Sequence, residues 1–171
     1  MNFLLLLKLV TFGAASVAMA ADDLYARYFA DADGGKPCYA RYYDAAHLKA
    51  HPKQTVRRID VDFDKNFGEG TDPKNSPEKF EAGIAFMLKS SGEWYGDALY
   101  CKTVSGGFDC YLDADGGTIR LMPEGDALRL EVTRQIAVEG RKDFAGFGIP
   151  DGDDRVFILP RADRKLCWNG R

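Results

Sequence analysis

The chain has 171 residues, is 46% hydrophobic and 29% charged, and carries a formal net charge of −3. That composition suits one ordinary globular domain and excludes low complexity and gross disorder. The acidic balance and the mixing of charges along the chain argue against nucleic acid or an anionic membrane as the main partner.

Residues 1–20 read as a secretory signal peptide outside the fold. An apolar run from Phe3 to Val10, interrupted by Lys8, leads to Ala18-Met19-Ala20, the small-x-small pattern that signal peptidase reads. Cleavage is expected after Ala20. It would leave residues 21–171 as one domain, periplasmic or secreted, with no membrane attachment.

From Ala21 to Ala30 the spacing of Leu24, Tyr28 and Phe29 predicts a short docking helix. Cys38 to Tyr43 is aromatic and strand-like. Asp44 then stands as a helix N-cap before a short helical turn, Ala45 to Ala50, that stops at Pro52. Val56 to Phe63 alternates, with Ile59, Val61 and Phe63 on one face and Arg58, Asp60 and Asp62 on a face expected to meet water. The stretch from Asp64 to Pro77 reads as a loop. Strands are predicted at about Glu81 to Lys89, Asp97 to Val104, Phe108 to Leu112, Thr118 to Met122, Ala127 to Gln135 and Arg155 to Leu159, separated by glycine-rich or polar turns. The fold class that follows is all-β with short N-terminal helical segments: an antiparallel meander of about seven or eight strands forming a small barrel or sandwich.

Four cysteines, Cys38, Cys101, Cys110 and Cys167, form an even set in an exported chain, and two disulfides are expected. A hairpin turning at Ser105-Gly106 sets Cys101 opposite Cys110, so Cys38 is left for Cys167. In the chain-entropy treatment the long loop contributes roughly 4 to 5 kcal/mol and the short one about 2 to 3.

The search for chemistry works mainly by exclusion. Asp60, Asp62 and Asp64, with Asp151-Gly152-Asp153-Asp154, raise the question of calcium, but the glycine and closing glutamate of an EF-hand loop are missing. His47 and His51 stand one helical turn apart, yet Leu48 occupies the place where the helical zinc hydrolases carry a glutamate. No metal, cofactor or catalytic residue is assigned. An enzyme reading would rest on His47 with Asp44 alone. Binding candidates are the loop Ser91-Gly92-Glu93-Trp94-Tyr95, since Trp94 and Tyr95 are favoured interface residues, and Phe144 to Pro150, too glycine-rich for a strand interior yet carrying Phe144, Phe147 and Ile149. The latter either plugs an end of the barrel or meets a partner.

The residues Cys38-Tyr39-Ala40-Arg41, Tyr43 to Leu48 with His51-Pro52, Asp115-Gly116-Gly117, and Asp153 to Phe157 with Leu159 resemble a group of uncharacterised small exported proteobacterial proteins. That likeness implies export and no particular activity. Ser91-Gly92-x-x-Tyr95 with Lys102 is similar to a loop and nearby lysine of the periplasmic inhibitors of c-type lysozyme, small antiparallel barrels whose loop enters the lysozyme cleft. The expected function is a non-enzymatic binding module for an unknown protein or small ligand. The alternatives are a lysozyme inhibitor, carried by Ser91, Tyr95 and Lys102, and a lipocalin-like carrier with a wide apolar interior.

Overall fold

The computed structural model describes residues 21–30, 37–62, 76–140, 143–150 and 152–168. The expected signal peptide, the Asp31-Ala32-Asp33-Gly34-Gly35 stretch, Phe63, Asp64, most of the loop that follows and Asp151 lie outside these residues. Helix α1 (Ala21–Tyr28) is followed by β1 (Cys38–Tyr42), α2 (Ala45–Ala50), β2 (Val56–Asp62), β3 (Lys79–Leu88), β4 (Tyr95–Val104), β5 (Gly107–Tyr111), β6 (Thr118–Glu124), β7 (Ala127–Arg134), β8 (Ile136–Glu139), β9 (Phe144–Phe147) and β10 (Val156–Leu159).

Eight strands form one antiparallel sheet in the order β1-β2-β3-β4-β5-β6-β7-β10. A meander of this length curls until its ends meet, because right-handed strand twist accumulates from neighbour to neighbour. The seam is short. Ala40 N–H donates to Pro160 O at 3.1 Å, Ala162 N–H donates to Cys38 O at 2.8 Å, and Tyr39 bridges Arg161. The result is a nearly closed barrel, the all-β class expected from the alternation.

Inward positions carry Ile59, Val61, Phe80, Ile84, Phe86, Leu99, Phe108, Leu121, Leu130 and Phe157, all buried. Each end is stoppered by a separate element. Helix α1 drives Phe29 against Phe80 and Phe108, with ring centroids 4.6 and 5.1 Å apart, and is fastened by Tyr28 Oη donating to Gly125 O at 2.6 Å. At the far end the β8–β9 hairpin seats Phe147 between Phe86 (4.9 Å) and Phe157 (5.6 Å). Burying each phenylalanine contributes about 1.5 to 3 kcal/mol. Ala137 N–H donates to Gly116 O at 3.0 Å and ties the hairpin to the β5–β6 turn.

Two sequence expectations need correction. Phe144 to Pro150 contains a strand: Phe144–Phe147 pairs with β8, and Gly146 suits that place because a Cβ there would lie 2.2 Å from Ile136 O. Asp60 and Asp62 do face outward, but they are buried, at 1% and 5% exposure, rather than solvated. The C-terminal segment lies over them. In register across β1 to β4, outward rows read Ala40, Asp60, Ala85, Gly96 and Cys38, Asp62, Gly83, Ala98. These small residues leave a trough in which Trp168 lies against Gly96, with the Trp168 backbone N–H donating to Asp60 Oδ1 at 3.2 Å. Arg58 donates to Leu166 O beside it.

Both expected disulfides are present. Cys38–Cys167 closes a separation of 129 residues outside the barrel, and Cys101–Cys110 joins β4 to β5 inside the core, across a separation of 9. Among the described residues, no helix is long and apolar enough to cross a membrane.

Two measurements follow from these contacts. Removing the long crosslink with Cys38→Ala and Cys167→Ala should cost about 5 kcal/mol in urea unfolding, against about 3 kcal/mol for Cys101→Ala with Cys110→Ala; the reverse order would contradict the assigned roles. Tyr39, buried and donating to Tyr28 O at 3.0 Å, has its pKa pushed up to about 12 by desolvation. Both states keep the phenol protonated below pH 10, but between pH 10 and 12 only the unfolded chain ionises. Stability is therefore whole below pH 10 and falls by about 2 to 3 kcal/mol across that window. Phenolate absorbance followed with circular dichroism should show this loss, and Tyr39→Phe should reduce it.

Candidate functional site

The turn from β3 to β4 and the β8–β9 hairpin emerge at the same end of the barrel. Between them lies an open cleft of about 680 Å³ lined by Leu88, Ser91, Glu93, Tyr95, Asp143 and Phe144, together with Ser90, Gly92, Ala145 and Gly146. The volume is in the range of small-ligand sites. Two segments singled out separately in the sequence thus form opposite walls of one feature.

Tyr95 is the hinge between the walls. Its ring is buried and stacks on Phe86 at 5.5 Å, while its hydroxyl donates to Asp143 Oδ1 at 2.9 Å. A phenol that donates to a carboxylate holds its proton more tightly, so this hydrogen bond raises the Tyr95 pKa, the Ser91 contact opposing it. The hairpin can approach because residue 140 is glycine: a Cβ there would sit 2.5 Å from the tyrosine ring. Gly140 N–H also donates to Asp143 O at 2.7 Å, which turns the chain back into β9. On the other wall Ser91 Oγ accepts from Glu93 N–H at 3.0 Å and holds the β3–β4 turn in shape.

The structure divides the expected binding residues. Ser91, Tyr95 and Phe144 meet at the cleft. Phe144 is 74% exposed at its rim, whereas Phe147 is 2% exposed and belongs to the barrel plug. Trp94 lies on the outer wall under the Arg58 guanidinium, 4.9 Å from the ring centre. Lys102 is opposite Asp109 near the other end of β4, seven residues from Tyr95, or roughly 23 Å at the rise of a strand. Asp143, which sequence reasoning passed over, joins the site through its bond to Tyr95; a single acid following a basic pair in the sequence carries no pattern that would mark it.

The remaining candidates are engaged elsewhere. Asp44 caps α2 by accepting from His47 N–H at 2.7 Å, as its position implied. His47 stacks on Tyr43 at 4.6 Å and on His51 at 4.4 Å, and its Nε2 is 3.0 Å from Gln54 Oε1. Gln54 uses its amide N–H on Val56 O, so the neutral His47 carries its proton on Nε2. Ring planes 25° apart and stacked face to face do not aim two in-plane lone pairs at a common ion. Asp154 is buried and accepts from Thr55 N–H, Thr55 Oγ1 and Val56 N–H at 2.6, 2.6 and 3.1 Å, pinning the start of β2. Asp60, Asp62 and the Cys167 sulfur lie within 4.8 Å of one another, but that sulfur is committed to its disulfide.

Comparison with protein families, with curated proteins and with solved structures finds no match.

The Tyr95–Asp143 bond is directly measurable. Asp143→Ala should lower the Tyr95 pKa toward its ordinary value, since the acceptor that favours the protonated phenol is gone. Gly140→Ala should do the same by displacing the ring, at a stability cost of about 1 to 3 kcal/mol. Spectrophotometric titration against a Tyr95→Phe reference isolates the one phenol; an unmoved value in both variants would show that the bond does not form in solution.

Proposed function

We propose that this protein is a non-enzymatic binding module, exported through cleavage after Ala20 and resident in the periplasm, which meets its partner at the cleft between the β3–β4 turn and β9. Its two disulfides fit an oxidising, extracytoplasmic environment. The observation that carries the reading is the convergence of Ser91, Tyr95 and Asp143 with Phe144, a large ring 74% exposed on the β8–β9 hairpin. Keeping such a ring in water has no benefit for folding, and exposed aromatic residues beside a cleft are characteristic of recognition sites.

The alternatives draw less support. A carrier needs a wide apolar interior, and here Phe29, Phe86, Phe108, Phe147 and Phe157 fill the barrel. Lysozyme inhibition through Ser91, Tyr95 and Lys102 needs those three side chains to act together, and the length of β4 separates Lys102 from the other two.

The test uses photoreactive phenylalanine placed at Phe144 and, in parallel, at the exposed wall residue Tyr111. Irradiated cells should yield adducts from position 144 and not from 111. Adducts from 111 alone, from both equally, or from neither would remove the cleft from consideration.

A further inference from the structure

We infer that the cleft takes an extended segment of a partner polypeptide, added as a strand to the outer edge of β9, with a basic side chain of that segment directed at Asp143. The inference rests on the cleft being the binding surface and adds the class of ligand and the mode of binding.

The barrel leaves few edges. Its eight strands run from β1 round to β10, and the seam at Tyr39, Ala40 and Ala162 joins the two ends. The β8–β9 sheet has two strands only. One side of β8 pairs with β9 and the other is held by Gly116 through Ala137 N–H. Among the described residues, the far edge of β9 meets no strand. Edges of this kind are ordinarily guarded by proline, by lysine or by a covering loop. Phe144-Ala145-Gly146-Phe147 contains neither proline nor charge. Among the described residues no segment covers it, and three of its four residues line the cleft. An exposed edge beside an open groove is the arrangement used for strand addition, in which main-chain hydrogen bonds supply affinity and alternate side chains supply selectivity.

The walls state which side chains fit. Phe144 and Leu88 offer apolar surface and Asp143 offers a carboxylate; the described residues lining the cleft include no lysine or arginine. Asp143 spends one acceptor position on the Tyr95 hydroxyl, and a carboxylate has about four. An ammonium or guanidinium reaching Asp143 would make a charge-assisted hydrogen bond, and its aliphatic stem would lie along the Phe144 ring. A short extended segment with one lysine or arginine and an apolar residue two positions away presents both side chains to the cleft, because alternate residues of a strand face the same side.

The experiment pans a displayed library of random linear peptides against the intact folded chain and measures the enriched peptides by calorimetry and hydrogen exchange. Enriched sequences should carry lysine or arginine, and their binding should slow amide exchange in β9. Methylating alternate backbone nitrogens of the peptide should weaken binding tenfold or more. Asp143→Asn, which keeps an acceptor for Tyr95, should weaken a lysine peptide by about tenfold and leave its norleucine counterpart unchanged. The inference is overturned if no peptide is enriched, if bound peptides leave β9 exchange unaltered, or if a neutral chito-oligosaccharide occupies the cleft in their place. Adducts at position 144 without β9 protection would reject strand addition and leave the cleft as the binding surface; their absence would reject both.

Discussion

The barrel seam is the constraint on which the other features depend. Two backbone hydrogen bonds, which together make the single Tyr39–Arg161 bridge, join β1 to the segment after β10, which is little pairing for strands that must hold the ends of a sheet together. The Cys38–Cys167 disulfide lies beside that seam and joins residues 129 apart in sequence. Because the crosslink chiefly limits the unfolded chain, its effect is largest for such a long loop. It also draws the C-terminal segment across the outer wall, which is why Asp60 and Asp62 are covered and why Trp168 finds the trough over Gly96. Closure, the covered carboxylates and the docked tail are consequences of one arrangement.

A small closed barrel has a further requirement: its two open ends would expose the apolar interior. This chain solves the two ends differently. Helix α1 supplies Phe29 at one end and is fastened to the β6–β7 turn, whereas the β8–β9 hairpin supplies Phe147 at the other. The second solution has a side effect. A four-residue strand whose last residue points inward holds its first outward, so in β9 Phe144 stands in solvent at the rim while Phe147 anchors it. The cleft lies between this hairpin and the β3–β4 turn, which the Tyr95–Asp143 bond joins. Stability and the candidate binding surface therefore share an element.

Much of the architecture was legible in the residues. Alternation over Thr118 to Met122 and Ala127 to Gln135 reports a half-buried strand directly, because side chains on a pleated strand alternate faces, whereas over Val56 to Phe63 it marks the strand but not the burial of its outward carboxylates. The pairing of Cys101 with Cys110 followed from a tight turn, a local feature. Asp44 announced its helix for the same reason. The site was legible only in part: Ser91, Tyr95 and Phe144 stood out as surface candidates, whereas Lys102, Trp94 and Phe147 carried equal weight in the sequence and lie elsewhere. Strand β9 was obscured by Gly146, which lowers strand propensity but is required by the close approach of Ile136 O.

What the sequence by itself determined is the local and periodic content: an antiparallel meander, its turns, its short helices and its disulfide partners. These depend on neighbours a few residues away or on simple counting. Only the tertiary structure decided which outward faces are wet, which of two phenylalanines is a plug, and that Asp143 meets Tyr95 across a separation of 48 residues. Those outcomes depend on which distant segments closure brings together, and alternation distinguishes one face of a strand from the other without saying what lies upon it.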